Sequence, residues 1–199
     1  MYRLFETIRI TEGIPQHTKW HELRMNRAQS EYAKNQPPYL LGTILKIPVE
    51  FSKGIVRCNV SYGSTILSVD YQPYRKRSIR TLKLIHCDDI DYHLKFSDRG
   101  QLGALFSQRG TCDEIIIVKE GWITDTSVSN IIFFNGNSWI TPDTPLLRGT
   151  TRERLIAEGF LEERPIRPRD LNYFSGCKLI NAMRIPEEEE IIPIESICA

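Results

Sequence analysis

From Arg3 to Ile10 the chain is rich in β-branched and aromatic residues and closes on Glu12-Gly13, so a strand and a tight turn are predicted. Thr18 then stands as a cap for a helix whose apolar positions Trp20, Leu23, Ala28 and Tyr32 form a rough stripe, ended by Asn35 and Pro37-Pro38. From Ile55 to Tyr62 the apolar Val56, Cys58, Val60 and Tyr62 alternate with Arg57, Asn59 and Ser61, the period of a half-buried strand. Gly63-Ser64 turns into a second strand, Thr65 to Tyr71, and the polar, basic stretch from Gln72 to Arg80 reads as a linker. Beyond it come a strand at Leu82 to Ile85 and a helix capped by Ser97 or Asp98, with Leu102, Leu105 and Phe106 on one face and Gly110 as its stop. Strands at Ile115 to Val118, Trp122 to Thr124, Asn130 to Phe134 and Ser138 to Thr141 follow, with hairpin turns at Glu120-Gly121 and Asn135-Gly136. Thr150 and Glu153 have the spacing of a capping box for a helix ending at Gly159. These elements predict an α/β (α+β) protein of two lobes: a small α+β lobe to about residue 74, a linker over 75–79, and a larger β-rich lobe over 80–199.

The length of 199 residues accommodates two such lobes, and 41% hydrophobic against 26% charged residues is the balance of a chain that buries a core. A net charge of +1 gives no global field for nucleic acid or an anionic membrane, so function is expected from a local site. The N-terminal segment lacks a signal-peptide core and no run approaches a membrane span, which leads to the expectation of a cytoplasmic protein. Five cysteines without Cys-x-x-Cys spacing read as buried small hydrophobes rather than a disulfide or zinc framework. The four histidines show no metal-binding spacing, so no metal is expected. The basic cluster Arg75, Lys76, Arg77 and Arg80 reads as a solvated linker face, and Glu187 to Glu190 as an exposed, self-repelling turn.

Three pieces carry chemistry. His21-Glu22-Leu23-Arg24 places a fixed cation suited to phosphate near the start of the first helix. Tyr92 to Arg99 puts Lys95 at the mouth of a helix, and Gly149-Thr150-Thr151-Arg152 opens another helix whose N–H groups attract an anion. Two anion sites and a placed lysine suggest a phosphorylated cofactor.

The order Phe5-Glu6-Thr7-Ile8-Arg9, His21-x-x-Arg24, Lys95, Asp113-Glu114, Gly121 to Asp125, Ser129-Asn130-Ile131, Thr141-Pro142 and Gly149 to Arg152 resembles the class IV aminotransferase family, over nearly the whole chain. The resemblance implies a two-lobe fold with pyridoxal 5′-phosphate in the cleft between the lobes, a small amino-acid-like substrate and a homodimer. By the same resemblance Lys95 carries the cofactor as a Schiff base and shuttles the substrate's α-proton, and Arg24, Thr150 and Thr151 hold the cofactor's phosphate. Asn181-Ala182 falls where a second phosphate-contacting turn lies. Asp125 stands where relatives have a glutamate pairing with the pyridine nitrogen; it is one methylene shorter, about 1.5 Å less reach. Glu114 is the alternative carboxylate and reads as structural.

Within the family, the absence of a tyrosine just after Lys95 separates this chain from many aminotransferases. Lys95-Phe-Ser-Asp98-Arg99 instead looks like the Lys-x-x-Asn-Arg of aminodeoxychorismate lyase, and Asn181-Ala182-Met183 resembles a turn of that lyase. That resemblance implies cleavage of 4-amino-4-deoxychorismate to 4-aminobenzoate and pyruvate, a step of folate synthesis. The alternatives are a branched-chain or D-amino-acid aminotransferase and a catalytically weak cofactor-binding homologue. Family members usually carry further strands before the segment that begins at Phe5, so the expectation is either a more open substrate pocket or one covered by a partner subunit. Arg9, Arg75, Arg77 and Arg99 are the candidates for the substrate carboxylate.

Overall fold

The computed structural model describes residues 3–32 and 36–198. It divides into two compact units, one formed by the chain up to Lys76 together with Leu94–Asp98, the other by Arg77–His93 and the chain from Arg99 onward.

In the first unit, β1 (Leu4–Thr11), β2 (Ile14–Pro15), β3 (Ile55–Tyr62) and β4 (Ile66–Pro73) form an antiparallel sheet in the order β2-β1-β3-β4. The turn after β1 has positive φ at Glu12 (49°) and Gly13 (75°), as the sequence signal requires. Helix α1 (Thr18–Tyr32) and the one-turn α2 (Leu41–Ile44) complete the unit. The apolar face of β1 and β3, Ile8, Ile10, Val56, Cys58, Val60 and Tyr62, packs with Met25 and Ala28 of α1 in one core. Each large side chain sealed there stabilises the fold by roughly 2 kcal/mol. The buried face of α1 is His21, Met25, Ala28 and Gln29, while Leu23 is 53% exposed, a correction to the expected stripe. Trp20 is half-buried; the Tyr32 side chain and Asn35, expected at the helix end, lie outside the described residues. Leu94–Asp98 follows the linker in sequence yet pairs along β1: Phe5 N donates to Lys95 O at 3.0 Å, and Ser97 N to Arg3 O at 2.8 Å.

The second unit contains β5 (Leu82–His86), α3 (Gly100–Ser107), β6 (Glu114–Lys119), β7 (Trp122–Thr126), β8 (Asn130–Phe134), β9 (Trp139–Pro142), α4 (Thr150–Ala157), β10 (Leu161–Arg164), β11 (Gly176–Ile180), β12 (Ile192–Pro193) and β13 (Ile197–Cys198). The strands form one mixed sheet in the order β10-β9-β8-β7-β6-β5-β13, with β11 pairing β8 and β12. Glu114 to Val118 is buried without alternation, the signature of a strand covered on both faces. Glu120 (φ 52°) and Gly121 (φ 79°) make the expected tight hairpin. The next turn is longer than two residues: Asn135 N donates to Ser138 O, and Asn135 Oδ1 accepts from Asn137 N and Ser138 N.

Several local expectations are corrected. Helix α3 starts at Gly100 with Arg99 as its unassisted cap, one residue beyond Asp98, and Phe106 is half-buried under Arg77 and Arg109. Arg77 is also anchored, its guanidinium donating to Asp113 O, so the basic cluster is not wholly solvated. Glu189 is turned inward against the equally buried Arg184, 2.6 Å away, which breaks the expected exposed run of glutamates. All five cysteines are free, but only Cys58 and Cys177 are buried; Cys87 and Cys112 are half-buried and Cys198 is exposed.

Candidate active site

In the first unit the chemistry centres on Glu6. Its place on the core-facing side of β1 would suit an isoleucine, and its carboxylate is 0% exposed. Three donors offset that burial: Arg24 Nε at 2.8 Å to Oε1, Arg24 Nη2 at 2.6 Å and His21 Nδ1 at 2.6 Å to Oε2. Burial alone would raise the carboxyl, but the Arg24 charge and the donated hydrogen bonds outweigh it and hold Glu6 near 2. Burial pushes His21 below its ordinary 6.5, so the ring is neutral and its Nδ1–H donates. Arg24 and His21 are one turn apart on α1, and both converge on one strand residue. The Lys95 amine lies 4.5 Å from the centroid of the Phe5 ring and close enough to His21 to influence its charge. Arg9 is buried and alternates onto the Phe5 and Thr7 side of β1, where its Nε reaches Thr11 Oγ1 at 3.3 Å.

In the second unit the chemistry centres on Asp125. The β6–β7 register sets Ile117 alone opposite Thr124 and Asp125, a bulge that re-aims the strand at the carboxylate. Asp125 Oδ1 accepts from Asn130 Nδ2 at 2.7 Å and Oδ2 from Leu147 N at 2.9 Å. Burial nevertheless dominates and raises its carboxyl from 3.8 to about 6. Asn130 Nδ2 also donates to Leu147 O at 2.8 Å, so its amide orientation is fixed by two acceptors.

Helix α4 follows directly. Its cap is Gly149, and no side chain caps its first turn. The expected capping box is therefore absent: Thr150 is already helical, and Glu153 Oε1 accepts from Arg152 instead. Thr150 and Thr151 are buried at this helix start. Arg152, also buried, ties α4 to β9 and β10 through Pro142 O at 2.8 Å and Glu163 at 2.5 Å.

The Thr126–Asn130 turn is held from two directions. Arg99 Nη2 donates to Ser127 O at 2.5 Å, and Asn181 Nδ2 donates to Val128 O at 3.1 Å and Ser129 Oγ at 2.9 Å. Asn181 Oδ1 accepts from Met183 N at 2.8 Å, so this side chain is committed to the two turns it joins. Ala182 is half-buried in the turn closed by Asn181 and Arg184. Glu114 is buried and accepts from Ile115 N, a local structural role. Among the described residues no cluster of side chains suits a metal, and no helix is long and apolar enough to cross a membrane.

The residues expected from sequence thus gather into two sets: Arg24, Lys95 and Arg9 in the first unit, and Asp125, Thr150, Thr151, Arg99, Asn181 and Ala182 in the second. Sequence reasoning quoted Glu6, His21, Asn130 and Gly149 inside its motifs without giving them work. A glutamate at a core position of a strand was the available signal for Glu6. Nothing local signalled that Asn130 meets Leu147 and Gly149.

The arrangement has relatives. A model of a family described as amino-transferase class IV matches residues 3–197. A protein of Haemophilus influenzae described only as uncharacterized is 42% identical over 185 residues, 92% of this chain and 98% of that protein. The aminodeoxychorismate lyase of Bacillus subtilis is 25% identical over 184 residues, covering 77% of this chain and 63% of that protein. Among solved structures, a candidate 4-amino-4-deoxychorismate lyase from Haemophilus somnus superposes with a TM-score of 0.85 at 36% identity, covering 92% of this chain and 97% of that one.

Proposed function

The chain belongs to the class IV aminotransferase family, whose members are pyridoxal-phosphate enzymes, and from that membership we propose that it is a lyase that converts 4-amino-4-deoxychorismate to 4-aminobenzoate and pyruvate. The observation that carries the cofactor reading is Asp125, a buried carboxylate bound by two neutral donors next to a helix start that no side chain caps. Those donor sets fit the cofactor: a carboxylate for a protonated ring nitrogen, and helix N–H groups and a guanidinium for a dianionic phosphate. Bound, the cofactor supplies an electron sink for the carbon that bears the substrate's amine.

The chain's own residues then divide the work. Arg24, held by Glu6, and the first N–H groups of α4 at Thr150 and Thr151 bind phosphate. Ala182 adds a main-chain contact, and Asn181 acts by fixing its turn. Asp125 holds a proton on the ring nitrogen. Lys95 would hold the cofactor, and its free amine would take the proton from the amine-bearing ring carbon of the substrate. Loss of that proton lets the enolpyruvyl C–O bond break as the ring becomes aromatic, and the released enolpyruvate gains a proton at its methylene carbon to give pyruvate. Arg9 and Arg99 are the arginines proposed for the substrate's carboxylates, and a homodimer is the proposed assembly. The lyase reading over transamination rests on Phe96 to Gly100 lacking a tyrosine after Lys95 and on the names of the relatives from Bacillus subtilis and Haemophilus somnus.

The test is direct. Protein incubated with pyridoxal phosphate is expected to absorb in the violet; borohydride is expected to fix the adduct on Lys95, and Lys95→Ala to lose both signals. A protein that takes up no cofactor overturns the reading. Pyruvate release from aminodeoxychorismate supports the lyase, and amino transfer to a keto acid without pyruvate release overturns it.

A further inference from the structure

Gly149 sits at the cap of α4 with an ordinary φ of −67°, so its backbone conformation does not demand glycine. Proximity favours it: with Asn130 where it is, a Cβ there would lie 1.9 Å from Asn130 Oδ1, far inside contact distance, and a tight 3.1 Å from its Cγ, so the amide would have to move. Asn130 is thus seated against a bare α-carbon, and its amide closes a ring of hydrogen bonds. Its Nδ2 donates to Asp125 Oδ1 and to Leu147 O, and Leu147 N donates to Asp125 Oδ2. Both oxygens of one carboxylate are bound by groups that bind each other, which leaves the carboxylate a single orientation. The turn between Asp125 and Asn130 is pinned in addition by Arg99 and Asn181.

We infer that Asn130, seated on Gly149, is a positioning residue that holds the Asp125 carboxylate in the one orientation in which it meets the cofactor's ring nitrogen. This rests on the proposed role of Asp125. A flexible glutamate could find the ring by itself. An aspartate on a bulged strand has fewer torsions and less reach, so its direction must be set by neighbours. The donors are neutral and add no charge to the ring. The nearby cation, Arg152, acts on Asp125 only through space while its guanidinium serves Pro142 and Glu163.

The experiment uses Asn130→Ala, which removes the donor, and Gly149→Ala, which keeps the amide but unseats it; urea unfolding checks that each folds. The carboxyl of Asp125 is followed by NMR in carbon-labelled protein without added cofactor, its signal assigned by its loss in Asp125→Asn. Asn130→Ala is expected to move the Asp125 midpoint upward. Loss of a hydrogen bond to a charged group is also expected to weaken pyridoxal phosphate binding about tenfold to a hundredfold, and Gly149→Ala to shift both readouts in the same direction. On an Asp125→Asn background, Asn130→Ala is expected to add little further loss of cofactor affinity. An unmoved Asp125 midpoint in both variants overturns the inference, as does a full additional loss in the double variant. If Asp125→Asn alone leaves cofactor affinity and turnover untouched, the functional reading of Asp125 falls, an outcome told apart from the first because the NMR midpoint still moves.

Discussion

Glu6 in the first unit and Asp125 in the second are both withdrawn from water, 0% and 5% exposed, yet Glu6 is held near 2 and Asp125 rises to about 6. Burial raises both. Glu6 receives two hydrogen bonds from the guanidinium of Arg24 as well as one from His21, and that formal charge reverses the sign. Asp125 receives one amide and one main-chain N–H, which offset desolvation only in part. The first carboxylate is a permanent anion whose task is to hold a cation. The second is an acid poised in the range where protons are exchanged, as expected of a group that shares a proton with a ligand.

The largest effect expected from breaking this contrast is that of Glu6→Gln. It removes the buried carboxylate that accepts two hydrogen bonds from Arg24, in a site where the arginine is mostly buried, so urea unfolding should show a loss of about 3 to 5 kcal/mol. A loss below about 1 kcal/mol would mean that Arg24 finds water and that the ion pair is a surface one. Next comes Asp125→Asn. It keeps the volume and removes the charge, so the protein should still load at saturating cofactor but bind it about tenfold to a hundredfold more weakly, while turnover falls about a hundredfold or more. Wild-type turnover would remove Asp125 from the chemistry.

Legibility from sequence followed the same division between local and distant causes. The alternation in β3 and the hairpin at Glu120-Gly121 were readable because side-chain period and turn chemistry are local properties. The buried face of α1 was misread because hydropathy favours Leu23 over His21, whereas Glu6 supplies the partner that makes a neutral histidine tolerable in the core. Thr150 and Glu153 have the spacing of a capping box, yet Arg152 claims Glu153 and Gly149 takes the cap position. Arg24 and Lys95 stand out locally only as a cation suited to phosphate and a lysine at a helix mouth; their specific roles come from the family resemblance, since no local pattern distinguishes either from a surface cation. The seat of Asn130 on Gly149 is a distant meeting of two residues whose identities alone say nothing of it.

A smaller effect appears in the pH dependence of stability. Glu6 goes from 4.5 to about 2 on folding, so what it contributes is complete above 4.5 and is lost as pH falls toward 2. His21 is lowered from 6.5 and buried neutral, so stability also declines as pH falls below 6.5. Asp125 has the opposite sign: raised from 3.8 to about 6, it binds more protons when folded, and what it contributes is lost as pH rises through 6. Between about pH 4 and pH 7, wild type should therefore lose stability relative to Asp125→Asn, by on the order of 2 to 3 kcal/mol. Parallel urea curves at the two pH values measure the difference, and a constant gap would mean that Asp125 titrates in the ordinary carboxylate range.

The smallest change separates charge from geometry. Arg24→Lys keeps a cation beside Glu6 but removes the planar fork that reaches both Oε1 and Oε2. If the Arg24 charge is what holds Glu6 low, the lysine variant should keep that carboxyl well below 4.5 and lose only about 1 to 1.5 kcal/mol of stability for the missing hydrogen bond. Carbon-detected titration of Glu6 together with urea unfolding reads both quantities. A Glu6 midpoint restored to the ordinary range would show that the two-point fit of the guanidinium sets the carboxylate. The contrast with Asp125 would then be one of geometry, since two donors also bind that carboxylate but come from different parts of the chain.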